Sequence, residues 1–284
     1  MNKILLSIAT VALVGGLGIA ATNAFFTDTE TSTGNTFTAG TIDLKVSNTS
    51  YVSNQTTGEL IASPNTSWIN KDLVNEKFFN FNDLKPGDRG EDTIDLKVNT
   101  NDAWACAKLT LTSNKDNDCT APELSSGNDT TCGMGDLNWN GDLAQEISFV
   151  WWADDGDNVL EKNEEATKYY LGPAAISNLL GPDNALDLTI ADSQMNFFNG
   201  GPGHQTNPLV ADTTYYIGKG WCFGEMVLTP VDEGEGSPIT RGTGFGCNPF
   251  MTNNTAQTDS LTADMSFTVT QARNNMDYLC PEHQ

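Results

Sequence analysis

The chain has 284 residues, with 37 acidic against 14 basic side chains and a formal net charge of −23. Such an acid excess repels nucleic acid and anionic membrane surfaces and attracts cations. A hydrophobic content of 38% argues against wholesale disorder, and with only 18% charged residues most of the surface must be Asn, Thr, Ser and Gly.

Lys3 precedes the apolar run ILLSIATVALVGGLGIAA, and small residues then offer cleavage after Ala24, with Ala21 as the alternative. This is the pattern of a secretory signal peptide over 1–24. A membrane anchor is the rival reading, because the run is just long enough to span a bilayer, but no basic stop-transfer cluster follows it. No later apolar run is as long, so the chain is expected to be soluble, with no membrane contact after cleavage.

The next stretch, ATNAFFTDTETSTGNTFTAG, sets Phe25 and Phe26 at the new N-terminus and Phe37 shortly after. Chain ends are usually frayed and hydrophilic. A short apolar hook on a polar leader is either a frayed end, a segment that folds back on its own subunit, or one that needs another molecule to cover it.

Beyond the leader, alternating apolar and polar residues predict strands. TIDLKV occurs at 41–46 and again at 93–98, which reads as two neighbouring strands with similar burial. WACAKLTLT (104–112), ALDLTI (185–190) and LTADMSFTVTQA (261–272) alternate in the same way. EISFVWW (146–152) is nearly continuous in apolar residues, as in a strand covered on both faces. TYYIGKGWCFGEMVL (214–228) predicts one bent strand or a hairpin broken at Gly218 or Gly220, and AAISNLL (174–180) a short helix. DLKPGD (83–88) places Pro86 and Gly87 at the centre of a type II turn. Long loops rich in Asn, Asp, Gly, Thr and Pro separate the strands over 113–142, 196–212 and 230–259. Many strands joined by turn-rich loops predict an antiparallel β-sandwich. No linker divides the chain, so 40–284 reads as one domain.

The six cysteines all follow the leader, and an even count in an exported chain favours disulfides, although 15 pairings are open. The expected pairs are Cys119 with Cys132 and Cys222 with Cys247, each closing a Gly- and Asp-rich loop. Cys106 and Cys280 remain to tie an early strand to the C-terminus. No CxxC is present and there are only two histidines, His204 and His283, which argues against a zinc site.

Four features together resemble the TasA and camelysin family of secreted biofilm-matrix fibre proteins: a signal peptide ending NAFFTDTE, NTFTAGTIDL soon after it, LKPGD before the next strand, and MSFTVTQARNN near the C-terminus. The resemblance covers about the first hundred residues and the last strand. The middle, cysteines included, departs from it. It implies a jelly-roll-like sandwich, localisation in the extracellular matrix or at the cell surface, and a homopolymer in which the freed N-terminal segment, 25–39, adds a strand to the next subunit. Phe25, Phe26 and Phe37 would then be polymerisation anchors and Gly34 a hinge. Other matrix components are further expected partners. Main-chain hydrogen bonds supply affinity in such β-augmentation, and side-chain pockets supply register.

WWADDGDNVLEKNEE (151–165) is the densest acidic stretch. A calcium-loop register beginning at Ala153 puts Asp155, Asp157, the Val159 carbonyl, Glu161 and Glu164 at ligand positions, with Asp154 standing in for a missing first ligand. Ca²⁺ is the cofactor this predicts, against a solvated acidic loop. Five N-x-Ser/Thr sequons, at Asn48, Asn54, Asn65, Asn128 and Asn253, matter only if the host glycosylates. Some proteins of the resembled family are described as peptidases. This sequence has no HExxH and no GxSxG, and its cysteines are better paired than nucleophilic, so a non-catalytic fibre subunit is expected. A monomeric cell-surface binding module, with Trp151, Trp152 or Trp221 as sugar platforms, and a secreted metallopeptidase are the alternatives.

Overall fold

The computed structural model describes residues 27–31, 42–127, 129–132, 134, 139–167, 170–203 and 205–281. The expected signal peptide, Phe25, Phe26, Gly34, Phe37, Asn128 and both histidines lie outside the described residues. The strands are β1 (Thr27–Thr31), β2 (Asp43–Ser53), β3 (Leu60–Ala62), β4 (Trp68–Lys71), β5 (Arg89–Asn99), β6 (Ala103–Lys115), β7 (Ile147–Asp154), β8 (Tyr170–Ala175), β9 (Ala185–Ala191), β10 (Met195–Asn196), β11 (Gly201–Pro202), β12 (Thr214–Phe223), β13 (Glu225–Leu228), β14 (Phe245–Asn248) and β15 (Ser260–Gln271). One sheet runs β1-β15-β6-β9-β10-β11. The second runs β3-β2-β5-β12-β7-β8, with β4 also paired to β2, and β13 and β14 form a small sheet of their own. Among the described residues no helix is long and apolar enough to cross a membrane.

The two TIDLKV copies fall on β2 and β5, which are antiparallel neighbours with Leu44 opposite Val98 and Val46 opposite Leu96. Period-2 alternation sends Leu44, Val46, Ile94, Leu96 and Val98 to one face, and that face is buried against Leu109, Met265, Phe267 and Val269 of the other sheet. The result is an antiparallel sandwich closed by one large apolar core. Each such side chain, fully buried, stabilises the fold by about 1.5–3 kcal/mol.

β7 explains its own apolar run. Phe149, Trp151 and Ala153 face the sandwich core. Val150 and Trp152 face outward into a second cluster with Leu160, Cys222, Met226 and Phe245, formed where β13 and β14 cover the outer side of the sheet. Trp151, Trp152 and Trp221 are therefore buried, at 1%, 1% and 3% exposure, and cannot be sugar platforms.

The break in 214–228 also differs from expectation. β12 runs unbroken through Gly218 and Gly220, and the chain turns at Gly224, whose φ is +138°. Gly218 and Gly220 serve packing instead. A Cβ at Gly218 would stand 2.0 Å from the Trp152 ring, and one at Gly220 would stand 2.7 Å from Phe245. AAISNLL is split: its first residues end β8, and a single helical turn covers Ile176–Leu179. In DLKPGD, the Asp88 N–H donates to the Lys85 carbonyl at 2.9 Å and Gly87 has φ +95°, as a type II turn requires.

Disulfides join Cys106 to Cys280, Cys119 to Cys132 and Cys222 to Cys247. The first anchors the C-terminal segment to β6, the second closes the loop after β6, and the third pins β14 to β12.

Candidate functional site

Two places carry the residues singled out from the sequence. The first is the β15 edge. β1 lies at the end of its sheet and pairs with β15 antiparallel, from Thr27 opposite Thr270 to Thr31 opposite Ser266. Residues 32–41 then lead to β2 in the opposite sheet. The described part of the leader is thus a five-residue edge strand, held on one side by β15. Phe25, Phe26 and Phe37, the expected anchors, lie outside the described residues.

The second is the acidic stretch where β7 ends. Asp154 is its last residue, and the chain turns through Gly156 and Asn158, with φ of +113° and +67°. Asn158 occupies the position where a calcium loop has its sharp turn, and its left-handed backbone serves that role. Asp154, Asp155 and Asp157 each bring a carboxylate oxygen within 4.8 Å of the other two. Asp154 is held by the Thr93 hydroxyl at 2.6 Å and by the Trp152 indole N–H at 3.3 Å. Asp157 accepts the Val159 amide at 2.9 Å.

The remaining expected ligands turn elsewhere. Val159 is fully buried. The backbone of 160–162 is pinned to Val231, with Val231 N–H donating to the Leu160 carbonyl at 3.1 Å and Lys162 N–H donating to the Val231 carbonyl at 2.9 Å. Glu161 accepts the Gly234 amide at 3.0 Å, and Glu164 accepts the Glu161 amide at 3.0 Å. Arg241, from the single helical turn Pro238–Arg241, reaches across and donates to Asp157 and Glu161. A guanidinium thus occupies part of the space that a metal would need.

One further residue borders this site and was not legible in the sequence. Glu91 on β5 is fully buried with neither carboxylate oxygen hydrogen-bonded. Burial, with the charges of Asp154, Asp92 and Asp157, raises its carboxyl well above the usual range. Burial, helped by the Asp155 charge, pushes Asp154 up to about 6. Burial followed by Asp154, Asp155 and Glu161 pushes Asp157 up to about 7, against the pull of Arg241. Glu91 alternates with Ile94 and Leu96 and so reads as a solvent-facing residue. It is buried because β13 and β14 cover that face, and β14 lies inside a stretch, 230–259, that reads as loop.

On the core side of the same strands, Lys219 and Asp92 form an ion pair at 2.7 Å with both side chains fully buried. The ammonium also donates to the Phe78 carbonyl at 3.4 Å and stands 3.9 Å from the Phe79 ring centre. Asn48 donates to Asp92 at 3.0 Å and to the Thr66 carbonyl at 2.6 Å, so its sequon amide is inside the fold.

A family model described as camelysin metallo-endopeptidase matches residues 1–64. This is the family that the N-terminal motifs resemble. No curated protein matches the chain. The matched range spans the apolar hook, β1, β2 and β3. It contains neither the acidic loop, nor Arg241, nor any cysteine or histidine.

Proposed function

We propose that this chain is a secreted structural subunit that polymerises head to tail into extracellular fibres, each subunit completing its β15 edge with the 25–39 segment of another copy. The observation that carries this reading is β1: a short strand at a sheet edge, joined to the body by ten residues, and lying inside the segment matched to the family model. Ten residues extend to roughly 33–36 Å, so the same ladder can be made in cis or in trans. A contact between β1 of one molecule and β15 of the next is heterologous, does not close, and propagates as a filament.

Magnitudes favour the apolar anchors as the deciding element. Each ladder hydrogen bond contributes on the order of 1 kcal/mol, whereas ordering each residue costs about 1–2 kcal/mol. A five-residue ladder alone therefore holds weakly. Phe25 and Phe26, at roughly 1.5–3 kcal/mol each when buried, tip the balance if a neighbouring subunit supplies their pockets. Changing both to Ser should abolish fibres in negative-stain images of the signal-cleaved protein and leave the monomer's melt within about a degree. Normal fibres from that variant would refute the assembly mode.

The acidic loop enters the same reading as a Ca²⁺ site on Asp154, Asp155 and Asp157, the three carboxylates that converge, with Glu91 close by. The family's description brings a metallo-endopeptidase reading as well, but the donor set fits it poorly. The matched range has no imidazole, and His204 and His283 belong to no HExxH. Proteolysis by the purified protein that a chelator stops would favour the peptidase.

A further inference from the structure

A second group of carboxylates lies beside the segment that leads into β7, at the other end of that strand from the acidic loop. β6 and β15 are paired out to Lys115 opposite Ser260, so the next rung of that ladder sets Asp116 beside Asp259. Like charges directly opposite each other are destabilising. The loop closed by the Cys119–Cys132 disulfide lays Glu123 over the same spot. One carboxylate oxygen from each of Asp116, Glu123 and Asp259 lies within 4.8 Å of the other two, and Asp129 reaches within the same distance of Asp116.

These acids are held as ligands are held. Glu123 takes the Thr120 amide on Oε2. Asp259 takes the Asp142 and Leu143 amides on Oδ2, at 2.5 and 3.1 Å. Asp129 takes the Thr131 and Cys132 amides on Oδ1, at 2.7 and 3.2 Å. In each case the second oxygen is left buried with no hydrogen-bond partner: Glu123 Oε1, Asp259 Oδ1 and Asp129 Oδ2. Glu123 is the decisive one, because its side chain is 0% exposed. A buried ionised carboxylate with an unsatisfied oxygen is costly unless a cation meets it. The two loops are also fixed to each other. Asn117 donates to the Thr258 carbonyl at 2.8 Å, and the Thr120 hydroxyl donates to Gln257 at 2.6 Å.

We infer that Asp116, Glu123, Asp129 and Asp259 form a divalent-cation site, built for Ca²⁺, that fastens the disulfide-closed loop to the start of β15. The donors are hard oxygens, which favour Ca²⁺ over zinc or copper. Oxygens on opposite sides of an ion at roughly 2.4 Å stand roughly 4.8 Å apart, so one ion can reach oxygens that all lie within 4.8 Å of one another. Mg²⁺ demands a tighter octahedron and sheds its water reluctantly. This site is independent of the fibre reading and of the Asp154–Asp157 loop.

The test is calcium titration of the full mature chain, followed by hydrogen exchange with and without Ca²⁺. Wild type should bind Ca²⁺ in the range of about 10⁻⁴–10⁻³ M typical of extracellular sites and slow exchange in 116–132 and 256–260, with Mg²⁺ much weaker. Glu123→Gln keeps the acceptor for the Thr120 amide and removes one charge. It should weaken that binding at least about tenfold while raising the melting temperature of the chelated protein, a gain that a merely structural glutamate would not give. Asp259→Asn should weaken binding similarly, whereas Asp155→Asn should leave protection of 116–132 intact. No calcium-dependent protection of these segments, or an undiminished response in both Glu123→Gln and Asp259→Asn, would overturn the site.

Discussion

Replacing Arg241 by Ala isolates the electrostatics of the acidic loop. Its guanidinium donates to Asp157, to Glu161 and to the Asp232 carbonyl. The side chains of Arg241 and Glu161 are 12% and 1% exposed, so this pair is largely withdrawn from solvent. Removing one partner of a buried pair leaves an uncompensated charge and costs about 3–5 kcal/mol. Asp157 is 21% exposed, which lets water screen its share and places the expected loss near 3 kcal/mol. In a chain of this size 1 kcal/mol moves the melting temperature by about 2–4 °C, so a drop of roughly 6–12 °C should follow in chelator at pH 7.5. Ca²⁺ at millimolar concentration should restore part of that drop by mass action, because a cation can then take the place of the guanidinium beside Asp157. Differential scanning calorimetry with and without Ca²⁺ reads both effects. A drop under a degree, or an Arg241→Ala protein indifferent to Ca²⁺, would refute the view that Arg241 and a metal compete for these acids.

Non-reducing peptide mapping should find no free thiol in the mature protein. Losing Cys106–Cys280, at a sequence separation of 174, should cost about 5 kcal/mol in the loop-closure model, against about 3.5 kcal/mol for Cys222–Cys247 at a separation of 25. In chelator, stability should fall as pH rises from about 4 to about 7.5. Asp154, Asp157 and Asp259 have folded-state values raised to about 6, 7 and 7, so the native state holds their protons longer than the unfolded chain does. Urea melts across that range should show it, and a flat profile would contradict it. Gly218→Ala should cost roughly 1–3 kcal/mol, because the added methyl meets the Trp152 ring on a face packed to full density.

Strands that alternate against one core were legible. The two TIDLKV copies, WACAKLTLT, ALDLTI and the last strand all carry their burial in period 2. EISFVWW was legible as a strand covered twice, because a run with no polar face needs two partners. The partner on its outer side was not legible: β13 and β14 are four residues each, and β14 sits among Gly, Pro, Asn and Thr that read as loop. That omission hid the site. Without a cover, Glu91 reads as solvated and Trp152 as exposed. Lys219 in YYIGKGW shares the core-facing phase of Ile217 and Trp221 and meets Asp92 there. The turn at Gly224 was missed because three glycines compete in 218–224, and only the aromatic rings that fill the space above Gly218 and Gly220 tell them apart. In the acidic loop the spacing led to Asp154, Asp155 and Asp157. Arg241 comes from a distant helical turn, and no local pattern announces it.

The central claim is that residues 25–36 act on another molecule. The direct measurement compares negative-stain images and size-exclusion profiles of the signal-cleaved protein with those of the same protein lacking 25–36. The account predicts fibres from the first and a folded monomer from the second, its core melt close to that of the intact subunit because β1 is an edge strand whose ladder, among the described strands, is made with β15 alone. Normal fibres from the shortened protein, or its failure to fold as a monomer, would contradict the account and assign the segment to its own subunit.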